Sequence, residues 1–468
     1  MEQSTRMPLA DSMMVSSQER HAAPATLAAL LGLSGPPLHL RELTERVERA
    51  WGVVPRLWLR PHTDYRGRPL RPYRWLAPAT PLPPAPVAQE RLDPGDRLEH
   101  VVSRLMNRCF PLVPGGLLWD VHLLHDTAAR RQTVVLSVHH ALLDGQSLGV
   151  LMRLLCQGPG ALTPATAHGV TVPFTHRYPS GGVRATASVL TNVALPAPRH
   201  DCVRAAGNQP AVDWSTVPRQ LVATARRALP DMPVTVNDVV LAAFAGALRA
   251  EPGTLGDRPV PTGVHSAVPV SMRQAMAAEH HLGNLAAAVR VRLPLEVDDP
   301  VRRLHHVHRV MTDHKRRRTA MGAARIMAVL ARPEPVVVDL LGELTLANPW
   351  MRAVSCSNVR LCDTPLRLEG RPVEEFLTFS CLPPRMSVLT MFTTYEDTHT
   401  LALTARHALG PGLPRLASAF LREVETLADR AVSPGHRPPP AVVRSSFAAC
   451  LRAGVDAVGR GYRARGHR

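Results

Sequence analysis

VVLSVHHALLDGQSLGVLMRLL, residues 134–155, is the stretch whose reading decides the fold of this chain. TVVLSV (133–138) is a short β-branched run and reads as a strand. After Gly145 the apolar residues Leu148, Leu151, Leu154 and Leu155 recur at helical spacing, so 146–156 reads as a helix. A strand that turns directly into a helix is the building unit of an α/β layer. Successive strand side chains point to opposite faces, so His139 and His140 diverge, one toward a channel and one inward. Asp144 falls in the turn, where it holds the backbone or pairs with an arginine. Gly145 is read as the residue that gives the backbone its freedom at the switch.

This spacing suits proton transfer. Imidazole titrates near neutrality, with an ordinary pKa of about 6.5. It can take a proton from an alcohol or amine that attacks an activated carbonyl and return it to the leaving group. One rival overlaps the motif, because Gly145-Gln146-Ser147-Leu148-Gly149 fits the GxSxG of a hydrolase elbow. An elbow needs the strand to run straight into the nucleophile, whereas Ser147 falls in the first turn of the helix. A structural histidine pair with Asp144 as a helix cap is the other reading that the spacing leaves open.

Outward from this unit, LLWDVHLL (117–124) reads as a strand, joined to the first by the charged turn 126–131. Upstream, Leu40–Trp51 and Asp96–Arg108 read as helices, 76–87 as an extended connection and 1–24 as a loosely ordered arm. Downstream, 158–210 is poor in periodicity and reads as a crossover. Helices are expected over 217–229, over Val236–Ala250 behind the N-cap Thr235, and over the basic 301–318. Strands are expected over 262–270, 286–295, 388–394 and 400–405, before a last helix from 413 to 428. The tail from Pro438 ends in GRGYRARGHR.

Composition narrows the function classes. A chain of 468 residues with 45% hydrophobic and 20% charged residues suits two or three soluble units. Its net charge of +17 is almost all arginine, since Lys315 is the one lysine. The basic residues are dispersed and aromatics are 4%, so stacking on nucleic acid is not expected. An anionic surface or a nucleotide-bearing co-substrate stays compatible. Seven scattered cysteines without a CxxC pair argue against a disulfide framework or zinc ribbon and for a reducing compartment. His305, His306 and His308 lack a carboxylate or cysteine to complete a metal site. With no leader pattern and no run of about 18 apolar residues, a cytoplasmic protein, at most peripheral to a membrane or lipid droplet, is expected.

The segment 134–155 strongly resembles the active-site motif of the wax ester synthase/diacylglycerol acyltransferase family, within the CoA-dependent acyltransferase and condensation-domain superfamily. Other segments resemble the same family in the same order. These are MPLADSMMV (7–15), LLWDVHLL (117–124), PVTVNDVVLAAFAGALR (233–249), VPVSMR (268–273), Leu282-Gly283-Asn284 and SNVRLCDTPLRLEG (357–370). Leu117 and Arg360 stand where that family usually has proline. The resemblance implies an α/β fold of two chloramphenicol-acetyltransferase-like halves with a central tunnel between them. On that basis 1–180 is the first half, 181–212 the crossover, 213–432 the second half and 433–468 a basic tail.

The resemblance also implies roles. His140 is the base, with His139, Asp144 and Gly145 as its scaffold. Asn237 and Asp238 support the site from the second half, though such a pair also suits a plain helix start. Arg273 is a candidate partner for Asp144, and Asn284 a candidate donor to a tetrahedral oxyanion. No cofactor is bound permanently; acyl-CoA is the co-substrate and an alcohol, either diacylglycerol or a long-chain alcohol, the acceptor. Two alternatives stay open. One is an enzyme that acylates a natural-product alcohol or amine from an acyl carrier protein. The other is a lipid-binding homologue without catalysis.

Overall fold

The computed structural model describes residues 4–62, 72–93, 95–113, 116–126, 131–161, 167, 170, 182–194, 209–255, 263–277, 281–329, 334–345, 354–384 and 386–432. Residues 1–432 form one compact unit. The basic tail 433–468 and much of the expected crossover lie outside the described residues.

The first half is built on a six-stranded sheet in the order β12-β13-β2-β7-β6-β5. Its strands are β2 (Thr26–Leu33), β5 (Val87–Leu92), β6 (Trp119–Asp126), β7 (Arg131–His139), β12 (Arg367–Leu368) and β13 (Arg371–Phe379). The second half carries another six-stranded sheet, β10-β9-β11-β14-β15-β8. It comprises β8 (Pro210–Pro218), β9 (Val264–Ser271), β10 (Ala286–Leu293), β11 (Val354–Cys362), β14 (Val388–Tyr395) and β15 (Thr398–Arg406). A small third sheet holds β1 (Ser4–Arg6), β3 (Arg60–His62) and β4 (Arg74–Leu76). β6 and β7 pair antiparallel, as the hairpin reading requires. Residues 367–379, counted by sequence with the second half, are hydrogen-bonded into the sheet of the first through β13 and β2. The halves are therefore joined by a strand exchange as well as by packing.

The helices are α1 (Leu9–His21), α2 (Leu40–Trp51), α3 (Leu98–Met106), α4 (Gly145–Gln157), α5 (Val183–Ala194), α6 (Arg219–Ala225), α7 (Val236–Ala250), α8 (Pro300–Arg316), α9 (Thr319–Val329), α10 (Pro335–Thr345) and α11 (Leu413–Val432). α2 buries Leu43, Val47, Ala50 and Trp51 on one face, the stripe its spacing announced. Trp51 and Trp58 both meet the ring of Trp119 on β6 edge-on, with centroids 5.5 and 5.3 Å apart. α7 starts at Thr235 with a full capping box, Thr235 accepting from the Asp238 N–H and Asp238 from that of Thr235. Among the described residues no helix is long and apolar enough to cross a membrane.

Two expectations are corrected, and one strand is present that the sequence reading did not place. The supposed arm 1–24 contains α1, whose buried residues include Asp11, Ser12, Ser16 and Gln18. A helix that buries polar groups shows no apolar stripe, so periodicity does not reveal it. Residues 26–33, TLAALLGL, form a central strand buried at every position, where alternation has no reason to appear. Within the crossover, 183–194 is helix α5, and where the crossover ends the chain enters β8, an edge strand of the second sheet that runs on to Pro218.

Candidate active site

His139 ends β7, and the chain then turns through 140–144 into α4. The N–H of His140 donates to the carbonyl of Ala25, at the entry of β2, at 2.7 Å. His139 is fully buried, and its Nδ1 accepts from the Ala141 N–H at 3.0 Å. That bond puts the ring hydrogen of the neutral form on Nε2. Burial, and then the neighbouring His140, push the His139 ring down to about 3, so it stays neutral near pH 7. His140 is half-buried, and its Nδ1 lies out of solvent with no hydrogen-bond partner among the described residues.

The carbonyls of the turn are held by two side chains, Asn284 and Arg56, which Asp11 braces in turn. Nδ2 of Asn284 donates to the His140 carbonyl at 2.7 Å, to that of Ala141 at 3.2 Å and to Asp11 Oδ1 at 2.9 Å. Arg56 donates to the Leu142 carbonyl at 2.8 Å, to that of Ala141 at 3.0 Å and to Asp11 Oδ2 at 2.6 Å. Trp75 Nε1 also donates to Asp11 Oδ2, at 3.1 Å, and the Arg56 guanidinium lies 5.8 Å from the Trp75 ring centroid. All three polar residues are buried, so each charge and amide here is matched inside the protein.

Asp144 caps α4, accepting from the Ser147 N–H at 2.9 Å. Its carboxylate also takes a two-pronged contact from Arg273, at 2.8 and 2.9 Å, and the Leu285 N–H at 3.1 Å. Burial by itself raises the Asp144 carboxyl; the Arg273 guanidinium and these hydrogen bonds outweigh it and hold the group below the usual carboxylate range. Arg273 donates further to Ser147 Oγ at 2.7 Å and to the Gly283 carbonyl at 3.1 Å. Ser147 Oγ in turn bonds both the N–H and the carbonyl of Gly283, each at 3.1 Å. Gly283 has φ +132°, a conformation that disfavours any side chain.

Of the residues singled out by sequence, the structure brings together His139, His140, Asp144, Gly145, Arg273 and Asn284. Arg273 is the partner of Asp144 and not a surface residue. Two roles are corrected. Gly145 is the first residue of α4 and is absent from the glycines of positive φ. A Cβ there would lie 3.1 Å from Met391 Cε and 3.5 Å from Val359 Cγ2, so the glycine serves close approach of α4 to the second sheet. Asn284 spends its amide hydrogens on Asp11 and the turn carbonyls, which leaves it holding the loop, not facing an oxyanion. Ser147 is fully buried and held by Arg273 and Gly283, unlike an exposed elbow nucleophile.

Asn237 and Asp238 lie apart from this cluster in their bonding. Asp238 joins the capping box of α7 and pairs with His308 Nδ1 at 3.0 Å, and Asn237 is half-buried beside it. Neither bonds the 140–144 turn among the described residues. Asp11, Arg56 and Trp75 were missed as site residues. The signal for Asp11 was the 7–15 resemblance; nothing in the periodicity marks Arg56 or Trp75.

Comparison with known proteins adds to this geometry. Residues 282–428 match the family model described as the WS/DGAT C-terminal domain. A Mycobacterium tuberculosis H37Rv protein named as a diacylglycerol O-acyltransferase is 30% identical over 314 residues, 62% of this chain and 67% of its own length. The wax ester synthase/diacylglycerol acyltransferase of Marinobacter aquaeolei VT8 superposes with a TM-score of 0.64 at 20% identity, over 92% of this chain and 100% of that one. The first condensation domain of the calcium-dependent antibiotic synthetase gives 0.61 at 18% identity, over 93% and 97%. At these identities the two superpositions speak for a shared fold.

Proposed function

The chain belongs to the wax ester synthase/diacylglycerol acyltransferase family and is an acyltransferase, and from that premise we propose that it moves a fatty acyl group from acyl-CoA to the hydroxyl of a diacylglycerol or long-chain alcohol, with His140 as general base. In this reading the acceptor oxygen attacks the thioester carbonyl carbon while His140 takes the hydroxyl proton. The tetrahedral intermediate then collapses, the C–S bond breaks and His140 returns the proton to the thiolate. An ester and free CoA leave, and no covalent acyl-enzyme forms.

One observation carries the assignment. His140 is the half-buried member of the pair, and its main chain is bound on both sides, by Ala25 at its N–H and by Asn284 at its carbonyl. Fixing a base in this way is what makes its proton transfer effective. His139 is a poor candidate, since it is sealed from solvent and its ring is pushed down to about 3. Product analysis by mass spectrometry, with acyl-CoA and long-chain alcohol or diacylglycerol, tests this. His140→Ala should lose transfer by at least about a hundredfold, the lower range for a general base, with unchanged thermal unfolding. Near-normal turnover by His140→Ala would sink the assignment. Running acyl-CoA beside an acyl carrier protein as donor separates the carrier-dependent alternative.

A further inference from the structure

We infer that α5 and the corner between α8 and α9 form one face that docks on an anionic phospholipid surface. α5 exposes Val183 at 79% and Leu190 at 61%, unusual for large apolar side chains, and these two lie seven positions apart on one helical face. Ala187 is exposed between them. The opposite face of α5 is packed on α9. A Cβ on Gly322 would come within 2.2 Å of the Ala185 carbonyl oxygen, so the two backbones touch there, and the Ser188 and Thr319 hydroxyls are 2.9 Å apart.

Thr319 begins α9, and directly before it runs Lys315-Arg316-Arg317-Arg318, exposed at all four positions. Arg316 and Arg317 both pair with Asp313, at 2.6 and 2.7 Å, whereas Lys315 and Arg318 meet no carboxylate among the described residues. The hydroxyl contact therefore ties the middle of α5, the helix with the exposed apolar stripe, to the base of a cationic corner. Arg184 is exposed on the stripe itself.

The pairing of the two features selects the occupant. An acidic protein would satisfy the cationic corner but would gain nothing specific from a stripe of isolated aliphatic side chains. A bilayer takes both at once, the stripe entering the headgroup–acyl boundary while the cations meet phosphates. The face also lies close to the chemistry. Ala324 of α9 packs on Met272, whose neighbour Arg273 binds Asp144. A surface docked here would thus sit one helix layer from the loop that carries His140.

Co-sedimentation of the full chain tests the proposal with vesicles of phosphatidylcholine alone and of phosphatidylcholine mixed with phosphatidylglycerol. The wild type should bind the mixed vesicles and lose that binding in high salt. Val183→Asp/Leu190→Asp and Lys315→Glu/Arg318→Glu should each weaken it more than about tenfold, with circular dichroism unchanged. Both pairs are exposed, so neither change disturbs the core. Equal binding to both vesicle types, no binding to either, or variants that bind like the wild type would overturn the proposal. Because the readout is binding, it is independent of which alcohol the enzyme acylates.

Discussion

Asp144→Ala probes whether this residue is scaffold or chemistry. In the folded chain its carboxylate neutralises Arg273, caps α4 through the Ser147 N–H and accepts from Leu285. Removing it leaves a buried guanidinium with only uncharged acceptors on Ser147, Gly283, His281 and Gln146. Breaking a buried pair from one side costs about 3–5 kcal/mol. Loss of the cap adds about 1 kcal/mol. The sum, about 4–6 kcal/mol, is a large part of the roughly 5–15 kcal/mol that ordinary domains hold. Urea unfolding followed by tryptophan fluorescence reads the change. Asp144→Ala/Arg273→Met should be less destabilised than the sum of its single variants, by about 1–3 kcal/mol, because it removes the stranded charge. The contribution also has a pH signature. The folded carboxyl titrates below its unfolded value, so its stabilisation is complete above the ordinary carboxylate range and vanishes as pH falls through the lowered folded value. An Asp144→Ala protein within about 1 kcal/mol of the wild type would refute the energetic reasoning. One that is well folded and inactive would move Asp144 from scaffold to chemistry.

Two further outcomes are expected. His139 is pushed down to about 3, so the unfolded chain binds a proton there that the folded chain refuses, and stability must fall as pH drops below about 6.5. Between pH 7 and 5 that single ring accounts for about 2 kcal/mol, and His139→Asn should flatten urea-derived stability over this interval by that amount; an unchanged slope would contradict it. His399, pushed down to about 4, keeps its own slope in both proteins and cancels in the comparison. Asn284→Ala frees the carbonyls of His140 and Ala141, and should lower kcat by about tenfold or more while moving KM for acyl-CoA little. A variant whose KM rises while kcat holds would place Asn284 in substrate binding.

What the sequence revealed follows its physics. α2 and α7 were legible to the residue, because each has an apolar face or a cap at its boundary, Leu43-Val47-Trp51 in one and Thr235 in the other. The 134–155 unit was legible because a β-branched run gives way to leucines at helical spacing. β2 was not, since alanine and leucine buried on both faces look the same in a strand and a helix core. α1 was hidden by the polar residues it buries, among them Asp11, which is buried because it belongs to the site. The same holds for Arg56 and Trp75: a residue whose purpose is to meet another chain segment carries no local signature.

That last point explains why the site takes contributions from so many segments. When β7 ends at His139, the chain leaves the ladder with the carbonyls of residues 140–142 unpaired, and a buried carbonyl without a partner is costly. The turn cannot supply donors to itself, since its N–H groups are used by Ala25, by the His139 ring and in the turn. Arg56 and Asn284 bring the missing hydrogens, but a guanidinium cannot be buried alone, and so Asp11 is required to balance it. On the other side of the turn, Asp144 caps α4 and is itself a buried charge, which Arg273 balances from the second half. Each buried charge that fixes the loop calls for another, and the pairing closes only when α1, the 55–58 turn and the second half are all in place. The position of His140 is therefore a property of the assembled halves, and a polar change at Asp11, Arg56, Asn284 or Arg273 should reach the base without touching it.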